Sequence, residues 1–299
     1  MASTRLELAQ DFIWKNARLL ERQLFACLFA GGSPQAVAHA LQAYQNPDGG
    51  FGQALEPDKR CPESQPEDVR MAFEILDRTG LLDDPRVQAE LVLPACDFLA
   101  SASTPAGGVP FALPSVTRYP RAPWWQAQPG DPAALNPTAG IVGLLLKHAI
   151  RHPWLEGASA FCWQAIQASE SDAYHDLILM IAFLEAAPDR TRAEAELERI
   201  AARLQRPGVV ELDPQAVGYV KMPLDWAPTP ASYCSRLFDQ PTLARHLAAL
   251  AAKQRADGGW PISWEALSPA VELEWRGWVT VNALHTLQAY EFFGDDLRI

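Results

Sequence analysis

Four stretches of this chain hold side chains whose types and spacing can do chemistry. In Ala54-Leu55-Glu56-Pro57-Asp58-Lys59-Arg60, two carboxyls stand two residues apart beside two cations. Glu56 and Asp58 are candidates for general acid and base, or for holding a cation. Arg60 is a candidate for gripping a diphosphate or carboxylate with its planar fork. The plain alternative is a salt-bridged loop that caps a helix near Ser64. In Glu272-Leu273-Glu274-Trp275-Arg276-Gly277-Trp278, a second carboxyl pair, Glu272 and Glu274, stands beside Trp275, Arg276 and Trp278. That set suits a cationic intermediate or a stacked sugar, or else a capped helix start with structural indoles. His175 beside Asp176 is a candidate acid–base pair, with Ser171 or Asp172 serving as a helix cap. Trp124 and Trp125, in a segment with Arg118, Tyr119 and Arg121, and Lys221, Trp226 and Tyr233, in the longest irregular connection, are candidate substrate contacts or anchors of their own loops.

Metal chemistry has little support. The six His and five Cys show no ligand spacing; His148 and His152 are four apart, but no third ligand accompanies them. No metal and no cofactor are expected. The formal charge of 25 − 36 = −11 over 299 residues argues against a nucleic-acid partner, which needs stripes of Lys and Arg. Five scattered cysteines without a CxxC read as free thiols of a reducing compartment. The amino-terminal MASTRLELAQ lacks a signal pattern, and the best apolar run, LILMIAFL at 177–184, is far too short to span a bilayer. A cytoplasmic protein without a transmembrane segment is expected, its oligomeric state open.

The elements that must position these residues read as helices of two kinds. One-faced helices are expected at 34–45 (Val37, Leu41, Tyr44), 190–204 (Ala193, Leu197, Ile200, Leu204) and 242–252 (Leu243, Leu247, Leu250), each with one buried stripe. Helices apolar nearly all round are expected at 138–146, 177–187 and 278–290, and must be enclosed by other protein. Ala139, Gly140 and Gly143 allow close contact there. Pro34, Pro137 and Pro241 mark helix starts. Short extended pieces are allowed near 109–113 and 209–220. The two kinds of helix alternate in units of roughly 50 residues, with turns near 48, 107, 207 and 257 and a degenerate junction near 170. Twice the turn has one signature: Gln45, Asp48, Gly49, Gly50, Phe51, and Gln254, Asp257, Gly258, Gly259, Trp260. Asp-Gly-Gly supplies positive-φ positions at little steric cost, and the ring that follows can cover the helix end.

This Gln-x-x-Asp-Gly-Gly-aromatic signature resembles the QW-type repeat of squalene cyclases and protein prenyltransferase β subunits. Gly277-Trp278-Val279-Thr280 leading into Ala283-Leu284 is similar to the last inner helix of that superfamily, and Asn136-Pro137-Thr138-Ala139 to an inner-helix start. The resemblance covers most of the chain and is sharp in the two repeats. It implies an all-α fold, an (α/α)6 toroid formed by 1–299 as one domain, with an apolar substrate such as an isoprenoid in a central cavity. The family's chemical signatures are missing. There is no Asp-x-Asp-Asp (Asp83-Asp84 and Asp295-Asp296 are bare pairs), no Asp-x-Cys zinc pair and no Cys-Gly-Glu-Gln thioester. The acid would therefore be another carboxylate, and Glu56, Asp58, Glu272 and Glu274 are the candidates. A carbohydrate-active (α/α)6 enzyme with paired carboxylates and a non-catalytic scaffold are the two other readings.

Overall fold

A computed structural model of the chain describes residues 4–292. It is all-α. The helices are α1 (Arg5–Asn16), α2 (Leu19–Phe29), α3 (Pro34–Gln42), α4 (Pro66–Arg78), α5 (Pro85–Val87), α6 (Leu93–Ala102), α7 (Leu135–Lys147), α8 (Trp154–Ala168), α9 (Tyr174–Ala186), α10 (Arg190–Leu204), α11 (Pro223–Trp226), α12 (Gln240–Ala252) and α13 (Pro269–Ala289). A π-helical turn, Gln88–Val92, joins α5 to α6. Among the described residues there is no sheet, only the isolated bridges Gln45–Phe51, Lys59–Arg121 and Pro110–Ala133. The extended piece expected near 109–113 is reduced to the last of these, and that near 209–220 to a hydrogen bond from Glu211 N to Lys221 O.

The starts follow local chemistry. Thr4 and Glu7 cap α1 reciprocally, Asp239 accepts from Thr242 N to open α12, and Ser268 accepts from Val271 N to open α13. Asn136 is non-helical, so the regular part of α7 begins at Pro137. Ser171 and Asp172 do not cap α9. Ala173 holds that position, Ser171 donates to Asp176, and Asp172 pairs with Arg203 at 3.1 Å.

The chain divides into two compact units, 1–37 with 204–299, and 38–203. In the second, α7 packs against α4, α8 and α9, and α6 against α8. Gly143 lies against the backbone of Ala182, and Gly140 against Leu179 and Arg70, so the small residues of α7 do bring helices close. In the first, α13 packs against α1, α2 and α12. The stripe Ala193, Leu197, Ile200 and Leu204 is buried as expected, as are Val37, Leu41, Leu243 and Leu247.

The repeated turn has one geometry at both signatures. Gln45 Nε2 donates to Gly49 O at 2.8 Å and to Leu91 O at 3.0 Å; Gln254 Nε2 donates to Gly258 O and to Arg5 O, both at 2.9 Å. Asp48 accepts from Gly50 N, and Asp257 from Gly259 N, each at 3.0 Å. Gly49 and Gly258 are left-handed, at φ 84° and 93°. A Cβ on either would strike a neighbouring helix backbone, at Pro94 O or at Leu8 O. A third copy hides at Ser103-Thr104-Pro105-Ala106-Gly107-Gly108. Gly107 has φ 95°, Thr104 N donates to Gly108 O at 2.9 Å as Asn46 N does to Gly50 O at 2.8 Å, and the Gly107 Cα faces Gly157 O of α8. Gly208, at φ 84°, turns the chain near 207 with open space around it.

Candidate functional site

The second unit buries a group of charged side chains where α4 begins. The backbone fixes it from three sides. Glu56 N donates to Asp68 Oδ1 at 2.7 Å, tying the 53–60 loop to the first turn of α4. Ala122 N donates to Asp58 O at 2.8 Å and Arg60 N to Pro120 O at 2.9 Å, so the loop pairs with the segment that carries Trp125. Gln65 holds Leu113 N at 2.8 Å and Ser115 Oγ at 2.7 Å, fastening the next stretch to the start of α4.

Inside this frame Glu56, Asp58, Lys59 and Asp68 are 5%, 2%, 0% and 1% exposed, so the candidate carboxyls lie beneath the surface. Lys59 Nζ stands 3.1 Å from Asp68 Oδ2, 3.5 Å from Glu56 Oε2 and 4.3 Å from the centroid of the Trp125 ring. Trp125 in turn stacks on Phe111 at 4.7 Å. From there α4 continues the charged face. Arg70 forks onto Glu67 at 2.9 Å and 2.5 Å, and reaches Glu74 one turn on. Side-chain exposure rises along this stripe, from 10% at Glu67 to 16% at Arg70 and 30% at Glu74.

Burial separates the protonation states. Loss of water pushes the Glu56 carboxyl up to about 8, with Lys59 opposing and Asp58, Asp68 and Glu67 reinforcing. Burial works against the Lys59 ammonium, yet Asp68, Glu56 and Glu67 hold it above its ordinary value. Burial also raises Asp68, against Lys59 and the Glu56 N–H. A cation and a backbone donor on Asp68 favour its ionised form, whereas loss of water favours the protonated form of Glu56. A buried carboxylic acid beside an ammonium can give up its proton and have the resulting charge stabilised. Lys59 itself is no nucleophile, because attack requires the neutral amine.

Of the residues singled out in the sequence, the structure brings together Glu56, Asp58 and Trp125, with the Arg60 backbone as part of the frame. Trp124 is 49% exposed and turned away from burial. His175 is exposed with its ring edge-on to Tyr174, and Asp176 accepts from Ser171 at 2.6 Å. The remaining candidates lie in the first unit. Arg276, 5% exposed, binds Asp257 at 2.7 Å and Trp260 O at 3.1 Å over the Phe12 ring, which fastens the second signature turn. Its hydrogen bond holds the Asp257 carboxyl below the usual range. Trp278 and Trp226 are buried, Trp275 meets Trp264 edge to face at 5.2 Å, and Glu272 reaches Arg255 at 3.7 Å. Glu274 is half-buried, Lys221 lies over Tyr219, and Tyr233 meets the Arg236 guanidinium. Asp83 pairs with His148, which also meets Asp77, while Asp84 caps α5. Asp295 and Asp296 lie outside the described residues. All five cysteines are free. No described helix is long and apolar enough to cross a membrane.

Lys59, Glu67, Asp68, Arg70 and Glu74 were not singled out in the sequence. The i to i+3 spacing of Glu56 and Lys59, and the 67–70–74 helical spacing, are the signals that could have found them. A cleft of about 570 Å³ in the same unit is lined by Thr104, Pro105, Pro110, Gln128 and Asp131 among others, and by none of these charged residues.

A crystal structure of a protein from Actinoplanes is similar to this chain at 15% identity and a TM-score of 0.51, covering 94% of this chain and 98% of that one. That likeness is one of fold. No protein-family model matches the chain, and no curated protein does.

Proposed function

We propose that the chain closes as an (α/α) toroid of the terpenoid cyclase and prenyltransferase kind, and that it binds a small, largely apolar molecule on which Glu56 acts as proton donor. The observation that carries this reading is the buried Glu56, its carboxyl pushed up to about 8 by loss of water and set 3.5 Å from the Lys59 ammonium that would stabilise its conjugate base. The toroid draws support from the turns. The first and third copies seat their left-handed glycine on a later helix, α6 or α8, whereas the turn at 254–260 seats its own on α1, so the first helix of the chain stands where a next outer helix would. The apolar composition of α7 and α9 supports an apolar ligand. The test is incubation with a cell extract and with a panel of polyprenyl compounds, read by mass spectrometry. The wild type is expected to return a bound and altered lipid, and Glu56→Gln a bound but unaltered one. Absence of any bound apolar molecule would refute the reading.

One observation favours a second reading, a non-catalytic scaffold. The same ion pairs tie the 53–60 loop to α4, which is itself a structural task. In that case Glu56→Gln changes stability and the bound molecule leaves unaltered from the wild type too.

A further inference from the structure

In the first unit a buried histidine lies under a thin cover. The connection at 209–222 holds no buried residue, and Leu212, Val217 and Tyr219 in it are 55%, 91% and 52% exposed. The strap is bonded largely to itself. Glu211 N donates to Lys221 O at 2.8 Å, Asp213 N to Glu211 Oε1 at 2.8 Å, and Gln215 N to Asp213 Oδ1 at 2.9 Å. Left-handed glycines stand before it and near its tip, Gly208 at φ 84° and Gly218 at φ 93°, and a Cβ on either would meet open space. Its aromatic contact is edge to face, Tyr219 on Trp264 at 6.2 Å, and Trp264 in turn meets Trp275 of α13.

His246 of α12 is 2% exposed, and its Nε2 lies 3.2 Å from Leu212 O of the strap. A carbonyl only accepts, so Nε2 carries the hydrogen, and a second proton would go to Nδ1. That would charge a ring cut off from water, which is costly. Burial holds the imidazole below its ordinary value; the Leu212 carbonyl and Asp225 oppose this, and Arg245 and Lys253 add to it. Lys221, at the foot of the strap, acts on the same Asp225.

We propose that the strap at 209–222 is an acid-released cover: a second proton on His246 lifts it from α12 and exposes Trp264. The closed strap accommodates the neutral ring, whereas water accommodates the imidazolium, so protons shift the balance toward the open form. The strap is the part that gives way because it buries least and its bonds close mostly on itself. The loosening belongs to pH values falling below the ordinary 6.5 of an imidazole. Glu56, in the second unit, acts in the other direction, since its raised value favours the folded state on acidification.

The test is hydrogen exchange on the full-length chain, read by mass spectrometry at about pH 7.5 and about pH 5 and corrected for intrinsic rates. Protection of the Glu211 and Asp213 amides is expected to fall severalfold on acidification while that of α13 holds. His246→Gln, whose side-chain N–H can stand in for Nε2–H, should keep the strap protected at both values. Arg245→Gln, at an exposed position of α12, removes a cation that opposes the second proton and should move the loss to higher pH. Strap protection that does not fall in the wild type overturns the proposal, as does an acid loss that persists in a folded His246→Gln. Should His246→Gln fail to fold, Arg245→Gln decides: a loss moved to higher pH upholds the proposal, and a loss at unchanged pH overturns it.

Discussion

Burying Glu56 beside Lys59 and Asp68 pushes its carboxyl up to about 8, chiefly through loss of water. The consequence is a pH dependence of fixed sign. The folded-state value near 8 lies above the ordinary 4.5, so between those limits the folded state binds more protons than the unfolded one, and stability falls as pH rises through that window. The contribution is on the order of 5 kcal/mol at most. Urea titrations at about pH 5 and pH 8 should show this loss in the wild type, and Glu56→Gln should reduce it; an equal loss in the variant contradicts the assignment. Removing the cation is harsher. Lys59→Met leaves Asp68 buried without its ion pair, and should cost about 3–5 kcal/mol in the same titration. Glu56 and Asp58 were legible as chemistry in the sequence because acids beside prolines and cations are unusual. Asp68 was not, since two acids in the first turn of a helix are ordinary dipole partners. The bond from Glu56 N to Asp68 and the Lys59 ammonium shared between them join the two in space.

At the scale of the element, three copies of one turn connect helix to helix, and the carbonyl facing each left-handed glycine sets the closeness of packing. Gly49→Ala, Gly107→Ala and Gly258→Ala meet both a disfavoured φ and a backbone carbonyl, at Pro94, Gly157 and Leu8. Each should cost about 3 kcal/mol or more. Gly208→Ala has the same φ problem with open space around it, and should cost about 1 kcal/mol. Thermal melts of the four variants check the contrast; equal losses would mean that φ alone matters. Two copies were legible because their Gln and Asp hydrogen-bond the turn itself. The third escaped as a signature because Ser103 and Ala106 replace those residues, although the Gly-Gly that turns the backbone survives. Helices with one buried stripe or none polar were likewise readable. The α1, α2 and α8 helices were not read, and α4 was felt only as a cap near Ser64. The bundling of α4, α7 and α9 depends on which faces meet, a matter of contacts far apart in sequence.

At the scale of the molecule, the first helix of the chain belongs to the same compact unit as the last. Arg5 Nη1 donates to Ala251 O at 2.5 Å and to Gln254 Oε1 at 3.1 Å, and Phe12 lies beneath Arg276. Phe12→Ala, at a site 1% exposed, should therefore cost about 3–5 kcal/mol and loosen the C-terminal turn as well as α1. Hydrogen exchange at Gly258 and Gly259 reads this directly, and unchanged protection there would contradict the linkage. The all-α class and the helix spacing were evident from periodicity, and the Actinoplanes protein shares the fold across most of both chains. The chemistry was evident only in part, because burial decides which carboxyl holds a proton and burial is not written in local sequence. Infrared difference spectroscopy between the wild type and Glu56→Gln measures that proton itself. A protonated carboxyl band present in the wild type at neutral pH, absent from the variant and lost as pH passes about 8, is the expected result. A spectrum without that band at neutral pH would mean that Glu56 is ionised, and the proton donor on which the proposed function depends would not exist.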